Sequence, residues 1–231
     1  MRQCRQLVNK ALQGYKYLFL LILLLCLLTL HPLLEYHPLT REIFSMMVSA
    51  LLLTSILFLT RQRRWMYFGF LFAMSEVACI WWHYFSRDLL SEVFKFIFFV
   101  LFHLYAIVCV YQDLANTRQI TADEVRGAIC LYIFIGATWS AVYYLLEMLA
   151  PGSFHVTTYG QIDQHITWYD LLYFSFTTLS SVGYGDITAV APVARALAIF
   201  ESIAGIFYVA VIVAKMVSQF IQASQSPRIQ D

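Results

Sequence analysis

Long apolar stretches separated by short polar ones dominate the chain. A helix rises about 1.5 Å per residue, so roughly 20 apolar residues cross the hydrocarbon of a bilayer. Residues 17–34, 43–60, 96–112 and 127–146 contain no Asp, Glu, Lys or Arg. Residues 65–85 are apolar apart from Glu76 and His83, and residues 193–217 apart from Arg195, Glu201 and Lys215. The pattern predicts six transmembrane helices. The segment between the fifth and sixth opens with residues 150–166, read as a loop rich in Gly, Thr, Gln and His. It continues as TWYDLLYFSFTTLSS, where Thr167 followed three residues later by Asp170 is a capping box that starts a helix. About twelve helical residues reach about 18 Å, too short to cross. SSVGYGDIT follows, from Ser180 to Thr188. A half-helix entering the membrane and an extended return are expected.

Composition agrees with the pattern. Of 231 residues, 61% are hydrophobic and 13% charged, too little charge to cover a soluble domain of this size. A net charge of +1 gives no reason to expect a nucleic-acid partner. The placement of positive charge sets orientation. With six spans, Arg2, Arg5, Lys10, Lys16, Arg61, Arg63, Arg64, Arg118, Arg126, Lys215 and Arg228 share one side, and Arg41, Arg87, Lys95 and Arg195 the other. Both termini are therefore expected in the cytoplasm, in an integral protein of the cell membrane. The first span is long and lacks a small-residue cleavage site after it, so it reads as an uncleaved anchor. The N-terminal residues suit a surface amphipathic helix or a solvated basic tail equally. The expected organisation is a cytoplasmic segment 1–16, a peripheral four-helix domain 17–112, a linker 113–126, a second membrane domain 127–219 and a tail 220–231, with no soluble domain. Five scattered cysteines form neither a metal nor a disulfide pattern.

Non-helical backbone at membrane depth is tolerated only against protein or water. Here its bare carbonyls can be the purpose. Gly183 and Gly185 can adopt left-handed dihedrals without steric cost, letting successive carbonyls face one way. Ser181, Val182, Gly183 and Tyr184 would stack four oxygens, with the Ser181 hydroxyl as a fifth. One chain forms one wall of such a ladder, so several chains around an axis are needed to replace the water shell of a cation.

At these residues the chain resembles the potassium channel superfamily, over residues 128–217. The likeness rests on DLLYFSFTTLSSVGYGDIT and on ARALAIFESIAGIFYVAVIVAKMV, similar to the inner helix of prokaryotic members. It implies an all-α membrane fold: six transmembrane helices plus a re-entrant pore helix and filter loop, assembled as a homotetramer in the lipid bilayer. It also implies passive K+ flux, K+ ions held by Ser181, Val182, Gly183 and Tyr184, and no organic cofactor. Gly185, Asp186, Tyr173, Thr177, Thr178, Ser180 and Glu201 are the expected filter supports. Gly205 falls where the family often has a hinge glycine. Ile206, Val209, Val213 and Val217 lie at helical spacing, either lining a pore that gates by dewetting or simply packing.

The chain departs from the family pattern at several positions. Ser180 and Ser181 replace a threonine pair, and serine lacks the methyl that fixes the rotamer. That predicts a weaker or more mobile innermost site. Phe174 stands where many members have a tryptophan, and Thr177 where some have a glutamate paired to the filter aspartate. Tyr173 is expected to hydrogen-bond Asp186 instead. Family geometry puts Glu201 behind the pore helix near Thr177 and Ser180, as a support of the filter or as a packing carboxyl.

The fourth span, SEVFKFIFFVLFHLYAIVCVY, has Lys95 as its only Lys or Arg, whereas a steep voltage sensor needs several charges. Glu76 inside the third span is a functional candidate by its cost, or a structural group paired with Lys95 or His103, or a neutral carboxyl between helices. His31, His37, His83, His155 and His165 fall near the outer face, as external pH sensors or as scattered solvated side chains.

Alternatives are a less selective cation channel and an accessory pore-like subunit. An intramembrane aspartyl protease would match the letters Tyr169–Asp170 and Gly183–Asp186, but needs facing aspartates on two spanning helices. No constellation suggests an enzyme. An unidentified regulatory ligand or subunit is left open. Current–voltage curves in liposomes are expected to show no steep activation; several gating charges per subunit would overturn this reading.

Overall fold

Capping chemistry fixes where two of the helices start. Thr121 Oγ1 accepts from Asp123 N at 3.2 Å, and Thr121 N donates to the Glu124 carboxylate at 2.7 Å. Thr167 Oγ1 likewise accepts from Asp170 N at 3.2 Å, and Thr167 N donates to Asp170 Oδ2 at 2.8 Å. Each box satisfies amides that the first helical turn leaves unpaired. In the computed structural model, residues 15–34, 48, 63–117, 121–158, 161–163 and 166–225 are described. The predicted second span at 43–60, except Val48, and the N-terminal tail lie outside them.

The elements in order are α1 (Lys16–Leu34), α2 (Arg63–Ser86), α3 (Leu89–Asn116), α4 (Ala122–Leu149), β1 (Phe154–Thr158), β2 (Gln161–Asp163), α5 (Trp168–Leu179), β3 (Ile187–Ala189) and α6 (Pro192–Gln225). Helices α3, α4 and α6 (the last over Pro192–Lys215) are long and apolar enough to cross a membrane. The helices outrun their apolar stretches, because backbone hydrogen bonding continues into the polar interface until a cap ends it.

Helix α4 is central, packed by α1, α3 and α5, with α2 on α3. One core joins Tyr17, Leu20 and Leu24 of α1 to Tyr105, Ala106 and Val110 of α3 and Cys130, Leu131 and Phe134 of α4. A second core, under the re-entrant segment, gathers Tyr143, Phe154, Leu171, Phe174, Ile187 and Ala194.

The segment after α4 is not the loop its composition predicts, and the fold is not purely helical. A three-stranded antiparallel sheet, in the order β2-β1-β3, pairs Val156 with Asp163 and also with Ile187, and Phe154 with Ala189. The residues FHVTT are aromatic and β-branched, which suits a strand. Their partner β3 comes only after the re-entrant helix and its return, so this pairing is invisible to local pattern.

Helix α6 turns one stripe toward its own chain. Glu201 and Gly205 are buried in it; Tyr208 Oη donates to the Ala128 carbonyl of α4, and Lys215 Nζ to the Leu114 carbonyl of α3. Most of its remaining surface is exposed and apolar, including Ile199, Phe200, Ile203, Phe207 and Val211.

Two glycines admit α5 between α4 and α6. A Cβ at Gly136 would meet the Phe176 ring at 2.6 Å. One at Gly205 would fall on the backbone carbonyl oxygen of Leu179. The structure thus gives Gly205, expected as a hinge, a close-approach role within a continuous helix. Gly205→Ala is expected to cost about 1–3 kcal/mol per chain, the usual penalty of overpacking against something that cannot move. Thermal unfolding in detergent would read this as a lowered midpoint.

Candidate functional site

Helix α5 has twelve residues, Trp168–Leu179, and Leu171, Leu172, Phe174, Ser175 and Leu179 are buried. Its last turn receives the chain that follows. Ser180 N donates to Phe176 O at 3.0 Å and Ser181 N to Thr178 O at 3.0 Å. Val182 N and Gly183 N both donate to Thr177 O, at 2.9 and 3.1 Å. The return segment therefore spends its first amides on the carbonyls that the helix end leaves open.

Its own carbonyls are left over. Among the described residues, no hydrogen bond is accepted by the main-chain oxygens of Ser180, Ser181, Val182, Gly183, Tyr184 or Gly185. Gly183 has φ +54° and Gly185 φ +79°, the left-handed values open to glycine. Ser181 adopts φ +60° as well, uncommon for a side-chain-bearing residue. Left-handed residues thus alternate at 181, 183 and 185. The sequence suggested this at the two glycines and gave no sign of it at the serine.

Asp186 ends the run and is held from several directions. Tyr173 Oη donates to Asp186 Oδ2 at 2.8 Å, the contact expected from the sequence. Ile187 N donates to Asp186 Oδ1 at 3.0 Å, and Thr157 N of β1 to the Asp186 carbonyl at 2.8 Å. The Tyr173 ring also stacks on that of Tyr184, with centroids 6.2 Å apart and planes within 4°. Hydrogen bonding to Asp186 pushes the Tyr173 phenol up to about 12.

Phe174 points into the second core. It forms a triangle of edge-on rings with Tyr143 and Phe154, each pair of centroids 5.3–5.4 Å apart. Such pairs contribute about 0.5–1.5 kcal/mol beyond burial. The triangle joins α4, β1 and α5 behind the return segment. Thr177 Oγ1 turns back to Phe174 O at 3.0 Å, and Ser180 Oγ to Phe176 O at 2.6 Å. Thr178 contributes its carbonyl to Ser181 N.

Glu201 lies behind α5, and its hydrogen-bond partners are Tyr143 and Ser175. Its fully buried carboxyl takes Tyr143 Oη of α4 at 2.6 Å on Oε2 and meets Ser175 Oγ of α5 at 2.5 Å on Oε1. Ser175 Oγ is also 2.8 Å from the Gly136 carbonyl oxygen. Ser175 lies two residues before Thr177 and five before Ser180 on α5, while Gly205, one turn along α6 from Glu201, packs closely against Leu179. The sequence signal that could have found it was an uncharged hydroxyl inside an apolar helix, at the spacing that places Ser175 opposite Glu201.

Glu76 makes neither expected pair. Both its oxygens are buried without a hydrogen-bond partner among the described residues. His103 Nδ1 is instead 2.8 Å from Phe99 O, its ring stacked on Phe99, and Lys95 Nζ lies 4.7 Å from the Phe96 ring centroid. Ile206, Val209, Val213 and Val217 are all exposed on α6. His83 Nδ1 is 3.0 Å from Ser91 Oγ, and His155 lies on β1 opposite Thr188. The side chains of His31, His37 and His165 lie outside the described residues. No hydrogen bond joins Asp170 to Asp186; each is engaged locally, as above.

Residues 131–222, from within α4 through most of α6, match a family model described as ion channel. No curated protein and no solved structure matches the chain. The match and the apolar helices together support an ion channel in a membrane.

Tyr173→Phe removes the donor to Asp186 while keeping the ring stacked on Tyr184. Ion flux from liposomes is expected to fall or decay faster in this variant. The phenol must stay protonated to donate. Its hold is fully present below its unfolded value of about 10 and is lost only as pH rises through about 12. The Tyr173→Phe effect should therefore be constant between neutral and mildly alkaline pH; an effect that titrates in that range would refute the assignment.

Proposed function

We propose that the chain is a potassium-selective channel subunit, conducting K+ passively through a homotetrameric pore. The observation that carries this reading is the run of six unclaimed carbonyls after a half-helix. Unpaired backbone groups cost several kcal/mol each in hydrocarbon, so this run needs protein, water or cations around it. Val182 and Tyr184 are 53% and 72% exposed in a single chain, and the apolar flank of α6 beside them is bare. Four copies around an axis would cover that flank and turn four carbonyl walls into rings. Ser181, Val182, Gly183 and Tyr184 would then replace the water shell of K+, with the Ser181 hydroxyl as an added ligand.

The negative end of the α5 dipole would favour cations near the inner mouth. Ile206, Val209, Val213 and Val217 would line the inner pore, where an apolar constriction gates by dewetting. Helices α1 to α3 and the span at 43–60 would form a peripheral domain without a charged voltage sensor. Both termini would lie in the cytoplasm of a prokaryotic cell.

A less selective cation channel is the second reading. The left-handed Ser181 favours it, since strain at a serine without a rotamer-fixing methyl would loosen the innermost ring.

Reconstituted protein is expected to pass K+ down its gradient and to pass Na+ far more slowly; equal rates would decide for the second reading. Gly183→Ala forces a Cβ into the left-handed region at about 1–2 kcal/mol per chain, repeated in every subunit. It should abolish flux while leaving the assembled protein intact by size-exclusion. Undiminished flux in this variant would remove the carbonyl ladder from the mechanism.

A further inference from the structure

The cluster around Glu201 contains more contacts than ionised partners can supply with hydrogens. Three oxygen–oxygen contacts are of hydrogen-bond length: Tyr143 Oη to Glu201 Oε2 at 2.6 Å, Ser175 Oγ to Glu201 Oε1 at 2.5 Å, and Ser175 Oγ to the Gly136 carbonyl at 2.8 Å. Each needs one hydrogen between its oxygens. The carbonyl has none to give, Tyr143 has one and Ser175 has one. With an ionised Glu201, three contacts would share two hydrogens, and one pair of oxygens would face lone pair to lone pair. All three participating side chains are fully buried, so no bulk water reaches in to relieve the mismatch.

We infer that Glu201 carries a proton in this structure and is the donor that closes a three-helix clasp behind the return segment. The hydrogens then run in one direction. Tyr143 Oη–H goes to Glu201 Oε2, Glu201 Oε1–H goes to Ser175 Oγ, and Ser175 Oγ–H goes to the Gly136 carbonyl. Every donor and every contact is used once.

The surroundings suit a neutral acid. From α4, the titratable groups facing Glu201 are Tyr143 and Tyr132, and neither supplies positive charge. From α5 comes only the Ser175 hydroxyl. No salt bridge reaches Glu201 among the described residues. The stretch from Ser175 to Leu179 carries the carbonyls that receive Ser180 to Gly183, so the clasp holds the base of the segment proposed to bind ions. Loss of the proton to solvent leaves Ser175 a choice between α6, through Glu201, and α4, through Gly136. Either choice releases one side of the helix. Glu201 is thus a positioning residue whose ionisation unclasps the conducting conformation, an extension that rests on the channel reading.

The test uses the assembled protein in lipid. Infrared spectra should contain a protonated-carboxyl band that disappears in Glu201→Gln and survives in Glu76→Gln, the control for the other buried carboxyl. Ser175→Ala should shift that band by removing its acceptor. An amide at 201 can still donate to Ser175 and accept from Tyr143. Glu201→Gln should therefore keep K+ flux and lose pH dependence, whereas wild-type flux should decline at alkaline pH together with the band. If Glu201→Gln removes no band, Glu201 is ionised and the inference fails. If the band is lost but both proteins share one pH profile, the regulatory role fails. A band present in protein that passes no ion refutes the channel reading while the proton assignment stands.

Discussion

A row of main-chain oxygens without hydrogen-bond partners is the constraint around which this chain is organised. Helices and closed barrels cross bilayers because they satisfy every backbone group internally. Residues 180–185 do neither, and they lie between a twelve-residue helix and a helix that continues to Gln225. The amides of Ser180 to Gly183 are satisfied by the carbonyls of Phe176, Thr177 and Thr178, while the carbonyls of the run accept no hydrogen bond among the described residues. Free acceptors on such a segment are what the proposed role in binding a cation requires.

Holding such a segment needs support from several directions, and three are present. The sheet grips its outer end through Thr157 and Asp186. The triangle of Tyr143, Phe154 and Phe174 fills the space behind it with rigid rings. The clasp of Ser175, Tyr143 and Glu201 ties the helix beneath to α4 and α6. Small residues set the distances. Without Gly136 and Gly205, α5 could not approach either neighbour closely enough for these polar bonds to form.

The peripheral helices reach the same centre by a different route. Helix α3 packs on α4 through the first core, and its C-terminal end receives Lys215 from α6. Lys16 and Tyr17 of α1 bond Asp113 at that same end of α3. A cation on the last carbonyls of a helix is favoured by the helix dipole. These contacts tie α1 and the C-terminal half of α6 to the same end of α3.

Much of this was legible in the residues alone. Apolar runs locate α3, α4 and α6, the three described helices long and apolar enough to cross a membrane, because hydrocarbon thickness imposes a length. Thr167 and Asp170 mark the start of α5, and Gly183 and Gly185 mark where the backbone must turn left-handed, because both signals are local chemistry. The matching box at Thr121 and Glu124 is equally local chemistry. Tertiary structure alone decided the rest. The β1–β3 pairing, the left-handed Ser181 and the choice of Ser175 over Thr177 for Glu201 all depend on segments far apart in sequence meeting at distances set by neighbouring glycines and rings. Periodicity encodes which face of a helix is buried, but not what will be waiting opposite it.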